Sequence, residues 1–309
     1  MPPSPASSRF AHVLVIGASG LVGGAFHARL ARTIPRVTGT SHSHPRPGLL
    51  PFELGPAPEA FLDALAPDLV VMASAMTHVD RCETEPDQAR RRNVDELRPI
   101  SEWCARRGVA LLYFSTDYVF DGTAGPYAEA DAPNPLSVYG RSKLAAESLV
   151  AVVPRALVVR ITNVFDIGYD DRNFVHRCIK QLRDRTPLVV PSDQFATPAY
   201  ATWLADQCVT LGERGAILNE GSPRLLHAGC DDLVSRGELA RRVAGLLGAD
   251  ASFITERPTA ELGQAAPRPL RGGLRNDRWK ALLGVERLSL DDALHDCLPR
   301  MRRLHAREN

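Results

Sequence analysis

The sequence predicts an α/β fold: a parallel sheet doubly wound with helices, and a smaller C-terminal α/β lobe. Three observations predict it. Short β-branched apolar runs alternate with segments of helical period over the first 165 residues. Each run is apolar throughout rather than alternating, which marks strands covered on both faces of a parallel sheet. Beyond about residue 165 the pattern loosens, with Pro and Gly spaced among shorter segments.

In order along the chain, HVLVIG (12–17) reads as a buried strand ending in glycine, and LVGGAFHARLAR as a helix behind it. RVTGTS is a second strand, AFLDALA a short helix closed by Pro67, and DLVVMAS a third strand. PDQARRRNVDELRPISEWCARRG has the spacing of one long amphipathic helix ended by Gly108. VALLYFS is a strand, SVYGRSKLAAESLVAV a helix stopped by Pro154, and ALVVRIT another strand. In the second half, DDRNFVHRCIKQLRDR and SRGELARRVAGLLG read as helices, and PLVVPS and RLLHAG as short strands.

Bulk properties exclude several classes. The 309 residues suffice for one large α/β domain with a smaller partner lobe. A net charge of +1 gives no overall field for nucleic acid or an anionic membrane. No apolar run reaches the roughly 18 residues needed to span a bilayer. Six scattered cysteines without a CxxC pair imply reduced, buried thiols in a cytoplasmic protein. MPPSPASSRF lacks an apolar stretch and reads as a disordered lead-in rather than a signal peptide. No residue pattern implies a catalytic metal, and the oligomer is open between monomer and homodimer.

GASGLVG places glycines at 17, 20 and 23 between a strand and a helix. Such a turn lets backbone approach a pyrophosphate, and the helix start supplies unpaired N–H groups. The spacing GxxGxxG is one residue longer at its first gap than GxGxxG. In this context it predicts dinucleotide binding on a Rossmann sheet. The second strand ends without an acid that would hold a ribose hydroxyl. Ser41, His42, Ser43 and Arg46 instead suit a 2′-phosphate, which favours NADPH while leaving NADH possible.

Tyr139 and Lys143 stand one helical turn apart in VYGRSKLAAE, on one helix face. Only three of the 37 basic residues are lysines, so a lysine here is a departure from the chain's habit. A phenol with a pKa of about 10 shuttles protons poorly at neutral pH, and an adjacent ammonium would lower that value. Lysine donors also turn freely toward ribose hydroxyls, unlike the rigid guanidinium fork. YFSTDYVFDG runs from an apolar strand into Ser115, Thr116 and Asp117, where a hydroxyl could polarise a substrate carbonyl.

Together these stretches resemble the extended short-chain dehydrogenase/reductases, and within them the dTDP-4-dehydrorhamnose reductase family. The resemblance covers most of the chain. Its most specific part is STDYVFDG followed by PYAEADAPNPLSVYGRSKLAAE. DQFATPAYATWLADQ, HAGCDDLVSRGELARRVAGLLG and APRPLRGGL resemble further blocks. The resemblance implies a catalytic triad of Thr116, Tyr139 and Lys143. Tyr139 would donate the proton, Lys143 would lower its pKa and hold the nicotinamide ribose, and Thr116 would orient the carbonyl. It implies cofactor contacts from Gly17, Ser19, Gly20, Leu21, Val22, Ala73, Ser74, Ala75 and Ser115, with Asn93 supporting that cluster. Asp117, Thr162, Asn163, Gln194, Thr197 and Arg268 would face a nucleotide-sugar. The implied division is a NAD(P)-binding Rossmann domain over 11–165, with 193–223 returning to it. A substrate-binding lobe would be formed by 166–192 and 224–309.

The chain also departs from the family. Where NAAAYTxVDxAE is frequent, it has ASAMTHVDRCE, with Ala73 for Asn and Met76 for Tyr. Gly272 replaces the serine of RPxxS, and RITNVFD (160–166) stands where RxSWV is common. The implied activity is NADPH-dependent reduction of the C4 ketone of a dTDP-4-keto-6-deoxy sugar, in deoxysugar or dTDP-rhamnose biosynthesis. Two alternatives stand beside it. One is a non-catalytic, cofactor-binding regulatory subunit like that of methionine adenosyltransferase, which resembles the same family. The other is a sugar-nucleotide epimerase. Dehydration is disfavoured because Tyr118, not glutamate, follows Asp117.

Overall fold

The structure, a computed structural model, describes residues 9–55 and 57–306. The expected lead-in at 1–10 lies almost wholly outside them. The first half alternates as expected: β1 His12–Ile16, α1 Leu21–Leu30, β2 Arg36–Ser41, β3 Leu50–Pro51, α2 Glu59–Leu65, β4 Leu69–Met72, α3 Val79–Thr84, α4 Pro86–Arg90, α5 Arg98–Arg107, β5 Ala110–Thr116, α6 Val138–Val150 and β6 Ala156–Ile161. The second half adds α7 Phe174–Arg183, β7 Leu188–Pro191, β8 Phe195–Ala196, α8 Ala201–Glu213, β9 Leu225–His227, β10 Val234–Ser235, α9 Arg236–Leu247, β11 Ile254–Arg257, α10 Asp277–Leu283 and α11 Leu290–Ala306.

Seven strands form one parallel sheet in the order β3-β2-β1-β4-β5-β6-β9. Its strands are apolar throughout because alternate residues serve opposite faces. Val13, Val15, Val71, Leu112 and Val159 pack with Phe26 of α1 and Leu204 and Cys208 of α8. Leu14, Ile16, Val70, Leu111 and Val158 pack with Ile100 and Trp103 of α5 and Val150 of α6. The direction of winding reverses between β1 and β4, the place where open α/β sheets bind ligands.

A separate core joins α7, α9 and α11 through Val175, Ile179, Leu239, Val243, Leu294 and Cys297. Around it lie the two-stranded pairs β7–β11 and β8–β10. The stretch expected to return, 193–223, packs in the sheet-side core through Ala201, Leu204, Cys208, Leu211 and Leu218. Within that stretch β8 joins the small pair and α8 covers α1, while the seventh sheet strand is β9, at 225–227. Trp279 of α10 also belongs to the sheet-side core, so 224–309 is shared between the two cores.

The helix expected across 86–108 is broken into α4, a π turn at Arg91–Asp95, and α5. The π turn carries Asn93, whose amide binds both backbone groups of Met76: Met76 N to Oδ1 at 2.7 Å and Nδ2 to Met76 O at 3.1 Å. No helix is long and apolar enough to cross a membrane among the described residues.

Candidate active site

The carboxyl edges of β1, β4, β5 and β6 enclose a cleft of about 480 Å³. Its floor is the glycine loop. Gly17 has φ +88°, and a Cβ there would lie 2.9 Å from Ser74 N, so this turn requires glycine. Gly20 starts α1 with no side-chain cap, leaving the helix start open to an anion. Ser19, Leu21 and Val22 line the cleft beside Gly17 and Gly20, and Ala73, Ser74 and Ala75 line it next to the glycine loop. This loop and uncapped helix start fit a dinucleotide pyrophosphate.

The residues expected at the 2′ position divide. His42 and Ser43 line the cleft, hydrogen-bonded to each other at 3.2 Å. Ser41 and Arg46 do not. Ser41 is buried with its carbonyl accepting from Phe52 N at 2.9 Å, and the Arg46 guanidinium donates to the Tyr169 carbonyl. Arg92 and His44, not anticipated from the sequence, line that end instead. Arg92 comes from the π turn, which no sequence signal marked.

At the other end Thr116, Tyr139 and Lys143 all line the cleft. Each is less than one-tenth exposed. Ser137 caps α6 through its hydroxyl, accepting from Gly140 N at 3.2 Å, and so fixes the helix that carries Tyr139 and Lys143. The Thr116 hydroxyl donates to Asp117 Oδ1 at 3.3 Å and accepts from Tyr118 N at 3.2 Å, and the Tyr139 phenol lines the same cleft. The Tyr118 ring meets Tyr139 edge-on at 5.5 Å.

The Lys143 ammonium donates to the Phe114 carbonyl at 2.7 Å and sits 4.1 Å from the Tyr113 ring centre. Burial lowers its pKa to about 7, against an opposing pull from Glu147. Burial likewise pushes the Tyr139 phenol up, and the Thr116 hydroxyl draws it back down. Desolvation outweighs any pairing between the two groups here.

Other expected residues support the wall. The Ser115 hydroxyl donates to Glu147 Oε1 at 2.5 Å, and Glu147 is gripped by Arg160 at 2.9 and 2.7 Å. Asn93 does not line the cleft. It ties the Met76 backbone to the Ser142 hydroxyl at 2.9 Å, which in turn donates to the Tyr139 carbonyl at 2.8 Å. Asp117 is buried and its pKa is raised by desolvation, against hydrogen bonds from Thr162, Gly273 N and Thr116. Its Oδ2 lies 2.7 Å from where a Cβ of Gly272 would stand, so the glycine in place of serine leaves room for the carboxyl.

A second cavity of about 880 Å³ adjoins the cleft, sharing Tyr118, Asn163 and Arg236 with it. Gln194 and Arg268 line it. Gln194 Nε2 donates to Thr259 Oγ1 at 3.0 Å and Gln264 Oε1 at 2.9 Å, and Arg268 donates to Asp80 at 2.7 Å. Thr197 lines neither space. It is buried, accepting from Leu274 N at 2.9 Å, and acts as a backbone clamp. Arg236 was missed in the sequence, where one arginine among so many carries no signal.

A phenol and a hydroxyl lining one cleft beyond the strand ends, beside a glycine loop, supply a proton donor and a hydrogen-bond donor there. That arrangement on this sheet defines a nicotinamide-dependent oxidoreductase of the short-chain type. The chain belongs to the dTDP-4-dehydrorhamnose reductase family: the family model described as RmlD substrate binding domain matches residues 11–303. It is 34% identical over 280 residues to dTDP-4-dehydrorhamnose reductase of Streptomyces griseus, covering 89% of this chain and 88% of that one. It is 27% identical to methionine adenosyltransferase 2 subunit beta of Danio rerio, covering 94% and 90%. The crystal structure of a dTDP-4-dehydrorhamnose reductase from Clostridium acetobutylicum superposes with a TM-score of 0.82, at 26% identity over 93% of this chain and 98% of that one.

Proposed function

We propose that the chain reduces the C4 ketone of a dTDP-4-keto-6-deoxy sugar with NADPH. The observation that carries this reading is that Thr116, Tyr139 and Lys143 line one cleft together with the glycine loop. NADPH, when bound, supplies the hydride. Thr116 donates a hydrogen bond to the ketone oxygen, and Tyr139 passes its proton to that oxygen as negative charge develops there. Lys143 holds the nicotinamide ribose through donors freed from the Phe114 carbonyl. Gly17 to Val22 cradle the pyrophosphate, with His42, Ser43 and Arg92 near the 2′ end, and this polar and basic end favours NADPH over NADH. Gln194, from the stretch 193–223, and Arg268, from the lobe of 166–192 and 224–309, face the nucleotide-sugar.

The test is oxidation of NADPH, and separately NADH, by purified protein with dTDP-4-keto-6-deoxy-L-lyxo-hexose, followed at the reduced-nicotinamide band. Sugar-dependent oxidation, faster with NADPH, is expected. Cofactor binding without oxidation of either nucleotide would overturn the reductase reading in favour of a regulatory subunit.

A further inference from the structure

The outer cavity carries more positive charge than its own acids neutralise: five arginines line it against three carboxylates, in a chain whose net charge is only +1. Two of those carboxylates are already engaged, Asp80 by Arg268 and Asp170 by Arg172. Arg177 and Arg236 have no carboxylate partner among the described residues. Both guanidiniums instead flank the Phe174 ring, at 5.4 and 4.9 Å from its centre.

For Arg236 this is costly, while Arg177 is exposed to solvent. Arg236 is the first residue of α9 and Arg177 lies in the first turn of α7, where helix dipoles already present positive potential. The one acid in the first turn of α9, Glu238, is held by Arg242. Burial also lowers the proton affinity of Arg236. A half-buried cation on the positive end of a helix, lacking a counter-ion, is an arrangement that an incoming anion would relieve.

An independent observation points to the same space. The Arg268 side chain is only 8% exposed, and its Nη1 is buried without a hydrogen-bond partner. A third observation concerns Asn163. It occupies the position of tryptophan in RxSWV, and its left-handed backbone, φ 41°, suits asparagine better than a bulky ring. Its Oδ1 accepts from Arg236 Nη2 at 2.8 Å and so aims the guanidinium into the space it shares with Tyr118.

We propose that Arg236 and Arg177, oriented by Asn163 and Phe174, form an anion subsite for an oxyanion of the nucleotide-sugar, additional to the donor that Arg268 offers. The oxyanion is either the diphosphate or an acid group on the sugar. This rests on the reading of the substrate as a nucleotide-sugar, but not on the reduction itself.

Calorimetric titration of the NADP-saturated protein with dTDP, UDP-glucose and UDP-glucuronate separates the sources. Arg236→Gln should weaken binding about ten- to a hundred-fold, the scale of losing charge-assisted hydrogen bonds. An equal loss for all three ligands assigns the diphosphate, and a loss confined to UDP-glucuronate assigns the sugar acid. Both support the subsite. Arg236→Gln binding every ligand within two-fold of wild type would overturn it, as would wild type binding none of them. Because the variant removes a cation from a helix start, its thermal midpoint should hold or rise, and a lowered midpoint with unchanged affinity would mark Arg236 as structural. Arg177→Gln, on a separate helix, repeats the test. Binding that depends on Arg236 without any ketone reduction would leave the subsite standing and refute the reductase.

Discussion

At the scale of single residues, the phenol and the ammonium make separable predictions. Tyr139→Phe removes the proton donor but keeps the ring that packs on Tyr118. Turnover should fall by roughly 10²–10⁴-fold, with the NADPH dissociation constant nearly unchanged. Steady-state rates and cofactor titration check both halves. Lys143 tests the electrostatics of burial. An unfolded lysine titrates near 10.5 and the folded one at about 7. Between those values the unfolded chain binds one more proton than the folded chain, so stability rises with pH across the window. The penalty is complete at and below about pH 7. Lys143→Met should therefore stabilise the protein at pH 7 by on the order of a few kcal/mol, a gain that shrinks toward pH 10. Urea midpoints at the two pH values decide it, and an equal gain at both would refute the burial argument.

At the scale of elements, the catalytic residues depend on how closely α6 approaches the turn after β5. A Cβ on Gly140 would stand 2.1 Å from the Tyr118 carbonyl oxygen and 3.0 Å from Pro135 Cβ. Gly140→Ala gains about 1 kcal/mol of helix propensity and incurs an overpacking cost of about 1–3 kcal/mol against backbone that cannot swing away. The clash should win. The prediction is a lowered melting temperature together with a lowered kcat, since the helix that shifts carries Tyr139 and Lys143. An alanine variant more stable than wild type would refute the close approach. Elements of this kind differ in how far the sequence discloses them. Strands β1, β4, β5 and β6 were legible because burial on both faces leaves an unbroken apolar run. The glycine loop and the Tyr139–Lys143 pair were legible because their function needs fixed local spacing. The π turn was not, since its stretch keeps the same apolar period as the helices around it. Nor were the two-residue strands β3, β8 and β10, which are too short to show any period. Arg46 misled because charge near a strand end says nothing of direction; its guanidinium turns to the Tyr169 carbonyl, while Arg92 from a distant turn lines the cleft.

At the scale of the whole molecule, the question is whether the sheet and the α7–α9–α11 core unfold together. Asp166, fully buried just beyond β6, is where they meet. It accepts hydrogen bonds from Thr202 N and Oγ1, at 3.0 and 2.7 Å, at the start of α8. It also pairs with Arg300 of α11 at 2.7 Å, and Arg300 in turn reaches the Tyr200 hydroxyl. One carboxylate thus joins the strand-end loop, a helix of the sheet-side core and a helix of the second core. Burial raises its proton affinity, and the Thr202 and Arg300 contacts pull against that rise. Asp166→Ala leaves Arg300 without its buried partner and the Thr202 donors unmet, a loss of about 3–5 kcal/mol. If the two cores are one cooperative unit, urea unfolding of the variant should remain a single transition at a lower midpoint, coincident by far-ultraviolet dichroism and tryptophan fluorescence. In a Trp203→Phe background, which removes the tryptophan packed against the second core, Trp103 and Trp279 report the sheet-side packing, while the helices α7, α9 and α11 contribute to the dichroism. Separation of the two probes in the variant, with the dichroic change first, would show that Asp166 is the link through which the second core borrows its stability from the sheet.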